Sequence, residues 1–267
     1  MHCCASYDFE ELPNPANYCS MRTLIVDNSN TRTKFAMAEG DLLLPWRATI
    51  PTADISHDSL NELLTETSWD QSIIGSVVPK KAAVLSSFLD SRPTHQLNHL
   101  SKLPITIDYP KPEQIGADRL ANATGAYALY GSPCVVLDFG TAVTFDVIDQ
   151  TSSESPAYQG GVIAPGLASM TEGLARRTAL LPHIELQEPD SAIGKTTEQA
   201  MLAGAIYGYR GLVSGILEKL RKEISSEPVI IATGGDAALI TRNMSEIQHL
   251  NPELTFEGLR LIATLNI

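Results

Sequence analysis

Apolar residues along this chain alternate between the two-residue rhythm of strands and the longer rhythm of helices. Leu24-Ile25-Val26 is a continuous apolar run ending in Asp27-Asn28-Ser29-Asn30-Thr31, and the alternating stretch Thr33 to Ala38 follows it. Such runs, bounded by polar turn residues, predict a buried strand and its partner. Ser59-Leu60-Asn61-Glu62 has the form of a capping box and predicts the start of a short helix. Ser72 to Val78 predicts a strand, Pro79 opens a helix reaching about Leu89, and Ile105 to Ile107 is a further strand. Pro110 and Pro112 restrict the backbone and mark a boundary or hinge near residue 112. Beyond it, Ala117 to Tyr130 predicts a helix closed by Gly131, then come a strand at Val135 and a partner from Thr141 to Ile148. Asp149 to Ser155 is the tip of a hairpin, and Gly160 to Gly166 a glycine-bounded strand. A long helix follows Thr196-Thr197, and Val229-Ile230-Ile231-Ala232 runs into the glycine turn Thr233-Gly234-Gly235-Asp236. Strands and helices alternate throughout, so the fold class is α/β.

Two turns repeat one design. Val135-Val136-Leu137-Asp138-Phe139-Gly140-Thr141 copies the first strand and its turn: apolar run, aspartate, small residues, threonine. Either turn alone reads as an ordinary hairpin. As a pair, each offers a carboxylate for a cation, and backbone N–H groups and hydroxyls for phosphate oxygens. Facing each other, they would grip a polyphosphate from both sides, as the two related halves of an actin-like ATPase core do. The glycines at 204, 208, 211 and 215 of the long helix cost helix propensity, roughly 1 kcal/mol each against alanine. They predict a close helix-to-helix contact, either between subunits or inside the domain.

Size and charge narrow the field. At 267 residues two domains are expected. The net charge of −12 repels nucleic acid and anionic membranes. No run approaches the roughly 18 apolar residues of a membrane span. Cys3, Cys4, Cys19 and Cys134 make no paired framework, which fits a reducing cytoplasm. Residues 1–20 carry acids and no apolar core, so they read as a disordered extension rather than a leader. Domains are then expected at 21–112 and 113–267.

Gly194-Lys195-Thr196 is not a phosphate-binding P-loop, because Pro189 occupies the place of its first glycine. No Gly-x-Gly occurs, which removes the dinucleotide fingerprint. The motifs present, taken in order, are Asp27-x-x-Asn30-Thr31 with Lys34, then Gly116-Ala117-Asp118-Arg119, then Asp138-Phe139-Gly140-Thr141-Ala142 with Thr144 and Asp146. Gly160-Gly161 with Pro165-Gly166, Gly194-Lys195-x-Thr197 and Thr233-Gly234-Gly235 complete the series. Together they resemble the type III pantothenate kinases of the actin-like ATPase superfamily, from Thr23 onward.

The resemblance implies two ribonuclease-H-like domains with a nucleotide cleft between them, and phosphorylation of pantothenate by ATP with Mg2+. It implies ATP contacts at Asp27, Asn28, Ser29, Asn30, Thr31, Arg32, Thr33, Lys34, Thr141, Gly234 and Gly235. Asp138 stands where the family holds a monovalent cation, K+ or NH4+, and Asp27 is a candidate for Mg2+. Tyr109, Gly116, Ala117, Asp118 and Arg119 match the pantothenate positions, with Asp118 in the place of the catalytic base. Thr197 matches a contact that the family supplies from a partner subunit, which implies a homodimer. The family carries glycine at the position of Ser29. Were that residue at positive φ, serine would add on the order of 1 kcal/mol of strain. A non-catalytic relative, or a kinase for another small hydroxyl compound, stands as the alternative.

Overall fold

The computed structural model describes residues 21–150 and 155–267. The extension at 1–20, three of the four cysteines and most of the hairpin tip after Asp149 lie outside the described residues. Two sheets carry the fold. The first contains β1 (Arg22–Asn28), β2 (Arg32–Glu39), β3 (Leu42–Pro51), β4 (Gln71–Ser76) and β5 (Thr94–Gln96), in the order β3-β2-β1-β4-β5. The second contains β6 (Thr106–Ile107), β7 (Cys134–Phe139), β8 (Ala142–Asp149), β9 (Ala157–Pro165), β10 (Val229–Thr233) and β11 (His249–Leu250), in the order β11-β10-β7-β8-β9-β6.

Apart from β6, the two sheets share one plan. Each begins with three antiparallel strands, and each first strand is flanked by a later parallel strand and then another. The duplicated turns therefore sit at equivalent places, the carboxyl ends of β1 and β7. Helices α1 (His57–Leu64) and α2 (Pro79–Leu89) follow the first sheet's strands, and α3 (Ala117–Tyr130) leads into β7. After β9 come α4 (Leu167–Arg177), α5 (Thr197–Leu220), α6 (Ala237–Ile240) and α7 (Leu254–Asn266).

Continuous apolar runs form the central strands because both faces are covered. In β1, Leu24 and Val26 join the cluster beneath α1 and α2, while Ile25 points the other way into the cluster containing α3 and α7. In β7, Val135, Leu137 and Phe139 meet α5 and α6, while Cys134 and Val136 enter that same α3 and α7 cluster. One central core is thus shared by both sheets. Gly125 and Gly258 let α3 and α7 approach closely. A Cβ at Gly125 would lie 2.7 Å from the Leu254 carbonyl oxygen, and one at Gly258 would run into the Ala121 carbonyl.

One local expectation changes, another loses its within-chain alternative, and two elements form that were not expected. The capping box opens α1 from Ser56, not Ser59: Ser56 is extended, its Oγ accepts from Ser59 N at 3.2 Å, and Ser59 Oγ accepts from Ser56 N at 3.0 Å. A second serine three residues on does the work expected of Glu62. The glycines at 204, 208, 211 and 215 have nothing within 4 Å of where a Cβ would stand, so no described element approaches them. Helix α7 and strand β3, which the apolar pattern did not flag, both form.

Candidate active site

The turn after β1 is fixed by side chains that bond inward. Asn28 Nδ2 donates to Thr33 Oγ1 at 2.7 Å, Ser76 Oγ donates to Asn28 Oδ1 at 2.6 Å, and Thr52 Oγ1 donates to the Ser29 carbonyl at 2.7 Å. Asn28 and Thr33 are buried with their side chains turned inward, while Asn30, Thr31 and Arg32 are exposed at the tip. Ser29 is not in the left-handed region, where Asn243 is the only described non-glycine residue, so the strain conditional on positive φ does not arise. Its Oγ instead donates to Asp27 Oδ1 at 2.9 Å.

Asp27 pairs across the β1–β2 ladder with Lys34, whose Nζ lies 3.7 Å from Oδ2. Burial still holds the Asp27 carboxyl above the usual range, and the charge of Asp138 adds to that, against the pull of Lys34 and Ser29. Asp138 is also pushed up by burial, opposed by a hydrogen bond from Asn122 and by the charge of Lys34. Asn122 Nδ2 donates to Asp138 Oδ2 at 2.9 Å, and Thr255 Oγ1 donates to Asn122 Oδ1 at 2.7 Å. The turn at Gly234, with φ of 97°, passes so near β7 that a Cβ there would lie 2.6 Å from both Asp138 Oδ1 and Phe139 N. Only glycine fits that position. Gly235 faces open space. The two duplicated turns touch: Thr31 Oγ1 and Thr141 Oγ1 stand 3.1 Å apart, and both residues are exposed.

The third group of residues gathers at the start of α3. Gly116 caps it without a side-chain bond, and Asp118 Oδ1 accepts from the Arg119 N–H at 2.8 Å. Burial first, and then the charge of Asp138, push the Asp118 carboxyl up to about 7. Arg119 Nε donates to Asp146 Oδ1 at 2.6 Å, and its guanidinium lies 5.6 Å from the centre of the Tyr158 ring. Its Nη2 is buried and has no hydrogen-bond partner among the described residues. Asp146 is fully buried and also accepts from Thr144 Oγ1 at 2.9 Å and Tyr158 OH at 3.0 Å. Tyr109 packs edge-on against Tyr158, with ring centres 6.2 Å apart. Gly160, at φ 104°, passes under Tyr109, where a Cβ would stand 3.1 Å from the ring.

Asp27, Asp118 and Asp138 thus share one electrostatic neighbourhood, with Asp146 joining it beneath Arg119. Ala117 is buried behind Asp118. Thr197 is exposed at the first position of α5, and no side-chain hydrogen bond among the described residues joins it to this group. A cavity of about 570 Å³ between β9 and α5, lined by Gly160, Gly161, Gly215 and Lys219, does not reach Asp27, Asp118 or Asp138. The motif series placed Asp146, but its role as the anchor of Arg119 and the contributions of Asn122 and Thr255 were not foreseen. A polar residue on the buried face of a predicted helix, as Asn122 is, was the available signal.

A family model for type III pantothenate kinase matches residues 23–219. A type III pantothenate kinase from Akkermansia muciniphila is 53% identical over 247 residues, covering 92% of this chain and 100% of that protein. One from Methylacidiphilum infernorum is 40% identical, covering 91% and 89%. Among solved structures, a Baf family transcriptional activator from Campylobacter jejuni superposes with TM-score 0.59 at 20% identity, over 90% of this chain and 97% of that one. A glucokinase from an Antarctic psychrotroph gives 0.50 at 11%, over 91% and 99%. These structural likenesses concern the fold, which is the two-lobed one of the actin-like ATPases.

Proposed function

The chain belongs to the type III pantothenate kinases, and from that membership we propose which of its residues carry the reaction. The reaction is ATP-dependent phosphorylation of pantothenate to 4'-phosphopantothenate, the opening step of coenzyme A biosynthesis. The observation that most supports the assignment is the 3.1 Å contact between Thr31 and Thr141, with Asp27 and Asp138 behind them. Two phosphate-cradling turns meet at one point beside an acid whose affinity for protons suits a base.

Phosphoryl transfer asks the protein mainly to position reactants and to balance charge on the γ-phosphate. The N–H groups of the Asp27 to Lys34 turn, the hydroxyls of Thr31 and Thr141, and the Lys34 ammonium would do this from the two lobes. Gly234 and Gly235 would border the nucleoside end. Among the described residues no group of three or more His, Cys, Asp or Glu could hold a metal alone. That fits Mg2+, a hard ion commonly bound by one carboxylate together with water and substrate phosphates. Asp27 would hold it, and when bound it supplies positive charge to the phosphates. Asp138 Oδ1, lined by glycine turns, would hold the K+ or NH4+ expected at this position.

Asp118 would accept the proton of the pantothenate hydroxyl. At about 7 its carboxyl is poised as a general base near neutral pH, well above an ordinary aspartate. Tyr109, Gly116 and Ala117 would border the pantothenate. The buried Nη2 of Arg119 has no acceptor among the described residues, and a buried guanidinium N–H is costly unless bonded. The carboxylate of pantothenate would supply that acceptor while Asp146 fixes the guanidinium plane.

The Thr197 contact comes from a second copy in this reading, and the protein is a homodimer. The open glycine positions of α5 and Tyr207, 41% exposed beside them, support such a contact. Lobes at 21–112 and 113–267 would close over the nucleotide, with β6 exchanged into the second sheet and α7 into the first lobe's core. A cytoplasmic location, away from nucleic acid and membranes, accompanies this reading. Helix α5 has the length and composition of a membrane span, but its apolar side packs against the second sheet. The test is ADP release with pantothenate and with a panel of sugars, in Mg2+ with and without K+. Turnover with pantothenate, enhanced by K+ or NH4+, is expected; turnover with a sugar alone would overturn the substrate.

A further inference from the structure

We propose that Asn122 and Thr255 are positioning residues for Asp138: Asn122 aims the carboxylate, and Thr255 on α7 holds the Asn122 amide in place. The inference rests on the reading of Asp138 as a carboxylate that serves the phosphate end of the cleft.

A carboxylate turns easily about its last torsion unless a neighbour fixes it. Asn122 Nδ2 fixes this one by bonding Oδ2, which leaves Oδ1 between two glycine turns. A Cβ on Gly234 would stand 2.6 Å from Oδ1, and one on Gly140 3.8 Å. Both turns belong to the proposed nucleotide site, so the free oxygen is the one directed at it. An amide can present either its NH2 or its carbonyl to a neighbour. Facing Asp138 with the carbonyl would set two acceptors against each other in a site that is 1% exposed at Asn122. The carboxylate therefore calls for the NH2, and the Thr255 hydroxyl holds the amide in that pose by donating to its Oδ1 at 2.7 Å, a carbonyl that valine at 255 would leave buried and unpaired.

Thr255 reaches Asn122 because Gly125 and Gly258 bring α3 and α7 into backbone contact. The same helix is tied to the first lobe: Arg260 Nη1 bonds Asp41 Oδ1 at 3.1 Å, and Arg47 bonds Glu253. A helix anchored on the first lobe thereby aims a carboxylate of the second.

The full-length protein tests this with Thr255→Val, Thr255→Ser, Asn122→Leu, the Asn122→Leu/Thr255→Val double variant and Asp138→Asn. Steady-state constants for both substrates, calorimetric titration with a non-hydrolysable ATP analogue in Mg2+, and thermal midpoints are measured on each. Thr255→Val is expected to weaken analogue binding and raise the KM for ATP about tenfold, with the KM for pantothenate unchanged. Thr255→Ser keeps the donor and is expected to restore both within about twofold. Thr255→Val should add nothing once Asn122 is Leu, because it acts only through that amide. The Val and Ser pair carries the test even if Asn122→Leu does not fold. A lowered thermal midpoint with normal nucleotide binding, or failure of Ser to restore, would overturn the proposal. Normal binding in Asp138→Asn would instead overturn the reading of Asp138 on which it stands; loss there with normal Thr255→Val would overturn only the relay.

Discussion

Burying Asp118 beside Asp138 and Asp27 makes the folded protein hold a proton that the unfolded chain releases near pH 4. Its carboxyl is raised to about 7 in the fold, so this group's contribution to stability is full below about pH 4 and is lost as pH climbs to about 7. Asp118→Asn should therefore raise the melting temperature at pH 8 by a few degrees and leave it unchanged below pH 4. The same variant should lose roughly 10²- to 10⁴-fold in kcat, and the wild-type kcat/KM should fall on the acid side with a midpoint near 7. A stopped assay across pH and a melting series at two pH values check both. Ser29→Gly removes a hydrogen bond to a buried carboxylate and loosens the unfolded chain, so chemical denaturation should show a loss of about 1–2 kcal/mol. That Asp27, Asp118 and Asp138 share one neighbourhood was legible, because each stands at a strand end or helix start with a local signature. Asn122 and Thr255 were not, since their bond links residues 133 positions apart in the chain.

Helix α3 was readable from end to end because Gly116 and Gly131 punctuate it, whereas α1 was placed three residues late because serine can close a capping box as well as glutamate. Helix α7 has ordinary apolar spacing and no strong cap, and what makes it matter is a partner that sequence pattern does not reveal. Gly258→Ala should destabilise by roughly 1–3 kcal/mol, because the new methyl meets a backbone carbonyl that cannot step aside cheaply. Gly208 offers the opposite case within the single chain, where nothing lies near it. If a second copy packs on α5 as proposed, Gly208→Leu should shift the protein from dimer to monomer with its circular dichroism intact. Sedimentation across concentration reads that shift; an unchanged dimer would exclude this face.

At the scale of the whole molecule, the duplication legible in two short turns extends to entire sheets with the same strand order. What could not be read was the exchange between halves, because edge pairing such as β6 with β9 leaves almost no mark on a two-residue strand. The shared core makes the halves interdependent. Arg260 and Asp41 are 219 residues apart in the chain, yet they meet across the helix that covers β1 and β4. During synthesis, the face of β1 and β4 that α7 covers must therefore wait until residues Leu254–Asn266 have emerged. That apolar face is left open to aggregation over the interval, and the core common to both sheets cannot close before α7 arrives.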